Sequence, residues 1–299
     1  MFYRLKPDYK LRGWKGMPWV LVKCPENWTR QITQEMFQLL LLCDGETELD
    51  GLLDAAIQET LQQCKREGLI EPCTSPLPLD KDQYYRFYKN RYVQSIFWSI
   101  TGRCNYRCRH CFMDAPCGKL GELTTGQAFD LIDQMADCGV LRVDITGGEP
   151  FVRRDFWQLV DRILSYNMVV GKIYTNGWLL NEKVLDEFER RDIKPDVSIS
   201  FDGAGWHDWM RGVPGAEEAA LRALKLCAEH GIKTDVEMCI HRGNLDTLPQ
   251  TIERLRAVGV QNVKAANVAM TELWESNSEG NALTEQEFVE AMLPYITWY

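Results

Sequence analysis

Three cysteines sit at positions i, i+4 and i+7 in the segment Cys104-Asn105-Tyr106-Arg107-Cys108-Arg109-His110-Cys111. Thiols this closely spaced, on a loop after an apolar run (Val93 to Thr101) that reads as a buried strand, suit a metal with one position left open. A structural zinc site wants four ligands, usually in two separated pairs. No second Cys-x2-Cys follows, and His110, between two of the thiols, is badly placed to face the same ion. An iron–sulfur cluster is better served, because one iron can remain open to a substrate or cofactor. The alternative is a set of unpaired structural cysteines. That is the reading for the rest: Cys24, Cys43, Cys64, Cys73 and Cys239 are scattered, and Cys138 and Cys227 fall on helices as small core residues. Cys117 is the only extra thiol near the triplet, and it is read as non-ligating.

A scaffold of alternating strands and helices must present this loop. Strands are predicted at Val93–Thr101, Leu141–Thr146, Val169–Thr175, Asp196–Phe201, Thr234–Ile240 and Val263–Ala269. Helices fall between them at Thr125–Cys138, Phe156–Asn167, Glu182–Arg191, Ala216–His230 and Asp246–Val258, and a sixth at Glu285–Tyr299. Thr124 with Gln127 and Thr284 with Glu287 fit capping boxes, and Gly139, Gly231 and Gly259 close helices. This alternation implies a parallel sheet, as a partial barrel or a doubly wound sheet. Polar and glycine-rich segments gather at successive strand ends: Gly147-Gly148-Glu149-Pro150, Tyr174-Thr175-Asn176-Gly177, Ser198-Ile199-Ser200-Phe201-Asp202-Gly203, His241-Arg242-Gly243-Asn244 and the end of the sixth strand near Asn267. A barrel enzyme keeps its chemistry at that end. Loops of this kind are often polar, but five in a row together with a thiol triplet exceed that background.

Residues 1–73 read as a separate small unit of two strands (Tyr9–Trp14, Trp19–Cys24), three helices (from Thr33 to Leu42, Leu49 to Leu53, Ile57 to Glu67) and a closing strand at Leu69–Pro72. That order is the pattern of a winged helix-turn-helix. Its third helix holds only two basic residues, Lys65 and Arg66, which argues against DNA, as does the net charge of −9. Residues 74–92 read as a linker, and the aromatic patch Tyr84, Tyr85, Phe87, Tyr88 and Tyr92 as packing against the next domain. The barrel core is expected over 93–270. The 299-residue chain carries an odd number of cysteines (11), no visible signal peptide and no membrane-length apolar run, so a cytoplasmic, reducing setting is expected.

The Cys-x3-Cys-x2-Cys spacing, the Gly-Gly-Glu-Pro segment and Ser200-x-Asp202-Gly203 with His207-Asp208 and Arg211-Gly212 resemble the radical S-adenosylmethionine (SAM) enzymes, over about Val93 to the C-terminus. The longer signature is similar to the subfamily with a C-terminal SPASM or twitch extension. The first unit resembles the PqqD-like recognition element of maturases that modify ribosomally made peptides. The resemblance implies an α/β fold, a partial (β/α)6 barrel of TIM type after a winged-helix unit, and a [4Fe–4S] cluster on Cys104, Cys108 and Cys111 with SAM on its open iron. It implies a precursor peptide as substrate, its leader bound by residues 1–73 as an added strand, and an external electron donor such as flavodoxin or ferredoxin. Neither nucleic acid nor membrane is expected as a partner.

For SAM it implies close backbone approach at Gly147 and Gly148, the ammonium received by Glu149 with nearby carbonyls, and the ribose or methionyl group beside Thr175 and Asn176. Ser200 and Asp202 would reach the ribose hydroxyls or the methionyl end, and Arg211 the carboxylate, unless Arg211 is a surface ion pair. Tyr106 and Phe112 would pack on the adenine or wall off the cluster. His207 and His241 are read as structural rather than as acid–base groups, and no catalytic side chain is assigned. No cysteine follows Cys239, so no auxiliary C-terminal cluster is expected. Residues 271–299 are read as the last barrel helix, at the start of an extension missing from this chain.

Overall fold

The computed structural model describes residues 1–24, 28–49, 55–115 and 120–296. Contacts divide the chain into two compact units, residues 1–94 with 133–142 and the remainder.

The first unit is richer in strands than its sequence pattern suggests. It contains β1 (Phe2–Leu5), β2 (Tyr9–Lys15), β3 (Met17–Lys23), β4 (Trp28–Gln31), helix α1 (Gln34–Leu42), β5 (Asp44–Glu48), helix α2 (Ala55–Arg66), β6 (Ile70–Cys73) and β7 (Arg86–Arg91). The strands form two sheets, ordered β5-β1-β6 and β4-β3-β2-β7. The expected winged-helix order is thus overlaid by strands that sequence patterning misses. β5 reads Asp-Gly-Glu-Thr-Glu, a polar turn by composition, and becomes a strand because its backbone pairs antiparallel with β1. The helix expected at Leu49–Leu53 lies outside the described residues except for Leu49, which is not helical.

The expected linker 74–92 contains β7, which pairs in parallel with β2. The chain before β7 is stitched down by polar bonds. Gln83 Nε2 donates to the carbonyls of Leu5, Lys6 and Tyr9 at 3.2, 2.8 and 3.2 Å, and buried Arg12 donates to Tyr84 O at 3.0 Å. Tyr88 and Tyr92 lie 5.3 and 4.7 Å from the Trp14 ring, and Tyr85 lies 4.7 Å from Phe37, so these rings pack inside this unit. The core gathers Leu5, Leu11, Leu21, Leu39, Leu40 and Leu49, each stabilising by about 2 kcal/mol through burial.

The second unit follows the predicted alternation closely. Its strands are β8 (Ser95–Ser99), β9 (Arg142–Thr146), β10 (Val169–Thr175), β11 (Asp196–Ser200), β12 (Thr234–Ile240) and β13 (Asn262–Asn267), in the order β13-β12-β11-β10-β9-β8. β10 through β13 pair in parallel, as a partial barrel requires. The predicted helices appear as α3 (Thr125–Asp137), α4 (Phe156–Ser165), α5 (Glu182–Arg190), then α7 (Ala216–Glu229), α8 (Leu248–Ala257) and α10 (Glu285–Ile296). Two short helices were not legible: α6 (His207–Arg211) and α9 (Glu272–Asn277). Neither is long enough to show a helical period. Both capping boxes form; Gln127 N donates to Thr124 Oγ1 at 3.3 Å and Glu287 N to Thr284 Oγ1 at 3.2 Å.

Two expectations need correction here. β8 is not a buried strand: Phe97 is 63% exposed, and the strand lies at the edge of the open sheet with Phe97 and Ser99 facing a cavity. Cys138 is exposed in the turn after α3 rather than packed in a core, whereas Cys227 is fully buried as expected.

Candidate active site

The cysteine loop leaves β8 and is held from two sides by main-chain bonds. On one side, Gly148 N donates to Thr101 O and Glu149 N to Arg103 O, both at 2.9 Å. On the other, Arg107 N donates to Arg211 O at 3.2 Å and Arg109 N to Met210 O at 2.9 Å, so helix α6 is laced to the loop. The glycines are there for proximity. A Cβ on Gly148 would stand 2.2 Å from Arg103 O, and one on Gly212 would stand 2.3 Å from Arg107 O. The Gly-Gly pair therefore serves first to let two loops touch.

Cys104, Cys108 and Cys111 are half-buried and line one cavity of about 840 Å³. N–H groups point at two of the sulfurs: Tyr106 N lies 3.3 Å from Cys104 Sγ, and Arg211 Nη1 lies 3.8 Å from Cys108 Sγ. Burial pushes the Cys104 thiol up to about 12, against the Tyr106 N–H, and raises Cys108 as well, against Arg211. Thiols held this way stay neutral until a cation takes them, and the N–H donors then favour the thiolate. The donor set fits an iron–sulfur cluster with three protein ligands. Cys117 lies outside the described residues.

Around this loop the expected SAM contacts divide into two groups. Gly147, Gly148, Thr175, Asn176, Ser200 and Arg211 all reach the cavity wall. Glu149 and Asp202 do not; both are fully buried and turned toward protein partners. Glu149 accepts from Thr175 Oγ1 at 2.9 Å, Asn176 N at 2.8 Å and Phe151 N at 3.2 Å, so its carboxyl organises two loops rather than facing the cavity. Burial lifts its pKa to about 7 despite those donors. Asn176 Nδ2 donates to Asn105 Oδ1 at 2.8 Å, tying the end of β10 to the cysteine loop.

Arg211 is an ion pair, as one expectation had it, but a buried one. Its Nε and Nη2 meet Asp202 Oδ2 and Oδ1 at 2.7 and 3.1 Å. Burial opposes the charge on Asp202, yet the Arg211 guanidinium holds its carboxyl well below the usual range. His207 Nδ1 accepts the Asp202 N–H at 2.9 Å, which makes it an acceptor and removes its 3.2 Å approach to Asp202 Oδ2 from the ion pairs. His241 Nδ1 accepts from Gly243 N at 3.2 Å as a cap. Both histidines are fully buried away from the cavity wall. Tyr106 is buried against Trp178 and lines the cavity, while Phe112 is 82% exposed at its rim.

Several wall residues escaped sequence reasoning: Phe97, Glu237, Cys239 and Lys264. For two of them the signal was available, since Glu237 and Cys239 are alternate residues on a strand whose other face is core. His110, set aside as badly placed for a metal, also lines the cavity, and burial lowers its pKa to about 4.

The fold and this loop together define the class. Residues 98–255 match the model of the radical SAM superfamily, and the chain belongs to that superfamily. Its members hold a [4Fe–4S] cluster and SAM. Among curated relatives, the mycofactocin maturase MftC of Mycobacterium tuberculosis is 36% identical over 180 residues, covering 59% of this chain and 45% of that protein. The PqqA peptide cyclase of Granulibacter bethesdensis is 31% identical over 172 residues, covering 56% of this chain and 46% of that protein. The chain thus spans about half the length of the curated relatives it matches. Among solved structures, Streptococcus suis SuiB bound to S-adenosylmethionine superposes with a TM-score of 0.65 at 14% identity, covering 98% of this chain and 69% of that one. No helix among the described residues is long and apolar enough to cross a membrane.

Proposed function

We propose that this protein is a radical SAM enzyme that modifies a ribosomally made precursor peptide, with Cys104, Cys108 and Cys111 holding the [4Fe–4S] cluster. The observation that carries the reading is the set of three half-buried thiols on one cavity wall, with N–H donors aimed at two of them. When bound, cluster and SAM supply one-electron cleavage of the sulfonium and a carbon radical that removes a hydrogen atom from the substrate. The chain supplies the rest. Gly147 and Gly148 leave room for the methionyl group beside the cysteine loop, and carbonyls near Glu149 receive its ammonium. Thr175, Asn176 and Ser200 offer short polar side chains to the rest of SAM. Glu149 and Asp202 act from behind the wall by holding those groups in place. Tyr106, buried against Trp178, closes one side of the cavity to water.

The peptide assignment draws on the relatives, which include the PqqA peptide cyclase, the mycofactocin maturase MftC and the antilisterial bacteriocin subtilosin biosynthesis protein AlbA of Bacillus subtilis. SuiB has also been solved bound to precursor peptide SuiA, and its fold match covers 99% of this chain, first unit included. In this reading residues 1–73 act as a PqqD-like element and take a leader peptide by strand addition at an edge such as β4. An external one-electron donor, flavodoxin or ferredoxin, completes the set of partners in a cytoplasmic setting. A second reading, action on a small molecule with the first unit as a cap, draws on 33% identity over 168 residues to the pre-heme d1 synthase of Dinoroseobacter shibae.

The test is anaerobic reconstitution with iron and sulfide, followed by SAM and dithionite. The expected product is 5′-deoxyadenosine, seen by mass spectrometry for the wild type and absent for Cys104→Ala. Equal traces for the two proteins would sink the assignment. Calorimetry of the full chain with short peptides encoded by neighbouring genes separates the two substrate readings: binding supports the peptide reading, and no binding supports the first unit as a cap.

A further inference from the structure

Asp202 and Arg211 form a fully or nearly fully buried pair at the site. Two guanidinium nitrogens meet the carboxylate at 2.7 and 3.1 Å, which turns the third, Nη1, to within 3.8 Å of Cys108 Sγ. The carboxylate is itself clamped. Asp202 Oδ1 accepts from Cys239 N at 3.1 Å, and Asp202 O accepts from Asn244 Nδ2 at 2.6 Å. The main chain of α6 bonds to the cysteine loop on both sides of Cys108, through Arg107 N and Arg109 N. The approach of nitrogen to sulfur is therefore fixed by backbone and by a forked ion pair, not by a free side chain. A SAM carboxylate would have to compete with Asp202 for this guanidinium.

We propose that Asp202 and Arg211 are positioning residues that set the reduction potential of the cluster through Cys108, with Arg211 Nη1 donating to the Cys108 thiolate, and that the pair is not the carboxylate site for SAM. The inference rests on the reading that Cys104, Cys108 and Cys111 hold the cluster. A cationic N–H donor at a ligating sulfur stabilises the added electron, and a carboxylate behind it opposes that electron. The two members thus act with opposite signs. Arg211 makes the cluster easier to reduce, and Asp202 makes it harder. A pair that only holds the loop in shape would give damage of one kind whichever member is lost.

The experiment is a spectroelectrochemical titration of reconstituted full-length wild type, Arg211→Gln, Arg211→Lys and Asp202→Asn, with iron and sulfide content measured on the same samples. The midpoint potential is expected to move negative in Arg211→Gln, by less in Arg211→Lys, and positive in Asp202→Asn, at iron contents equal to wild type. No shift, or shifts of the same sign in the arginine and aspartate variants, overturns the inference. If Arg211→Gln does not fold, Arg211→Lys against Asp202→Asn carries the same test of sign. A wild type that takes up no cluster overturns the reading beneath the inference, whereas a clustered wild type without opposite shifts overturns the inference alone.

Discussion

The two units use the same residue in opposite ways. In the first, Cys43 and Cys64 are fully buried among leucines, and burial pushes their thiols up to about 12 and about 11. In the second, Cys104 is pushed up just as far, yet it faces a cavity beside two further thiols and under N–H donors. A raised pKa therefore does not separate an inert cysteine from a candidate ligand. Clustering, access and donors aimed at sulfur do.

The sharpest way to break that contrast is to remove one thiol from each unit. Cys104→Ala is expected to lower bound iron and SAM cleavage below detection, whereas Cys64→Ala keeps both and costs about 1–2 kcal/mol in urea denaturation. Loss of iron binding in the Cys64 variant would show that the first unit contributes more than shape. A smaller effect separates two glycines. At Gly148 an added methyl meets main chain at 2.2 Å, so Gly148→Ala should cut iron uptake by about tenfold, as overpacking by about 1–3 kcal/mol implies. Gly16 has a φ of 88° with nothing near its Cβ position, so Gly16→Ala costs about 1 kcal/mol and leaves iron content unchanged.

The third contrast lies in pH. Burial holds the Glu149 carboxyl neutral up to about pH 7, while in the unfolded chain it ionises near 4.5. Between those values the native state binds the extra proton, so its contribution to stability is full below pH 4.5 and is lost as pH rises to about 7, by about 3 kcal/mol. Denaturation of the metal-free chain at pH 5 and pH 8 should show that fall in the wild type and a flatter profile in Glu149→Gln. Identical profiles would place the charge of Glu149 elsewhere.

How much of this was legible follows from range. The second unit announced itself because strands such as Thr234–Ile240 and helices such as Ala216–Glu229 carry complete periods, and local pattern decides them. The cysteine loop was legible for the same reason: three residues of one kind within eight. The first unit was not, because β5 and β7 exist only by pairing with β1 and β2, which lie 39 or more residues away along the chain. At the site, residue types could name Glu149 and Asp202 but not their direction. Only the partners of their oxygens, Thr175 and Arg211 among them, show that both face away from the cavity.

The backbone lacing of the cysteine loop carries a consequence for assembly. A zinc finger must capture its ion in order to fold. Here main-chain bonds from Gly148, Glu149, Arg107 and Arg109 fix the path of the cysteine loop. The loop's shape thus draws on backbone bonds and not on a bound ion alone, so Cys104→Ala is expected to lose iron while keeping the wild-type circular dichroism.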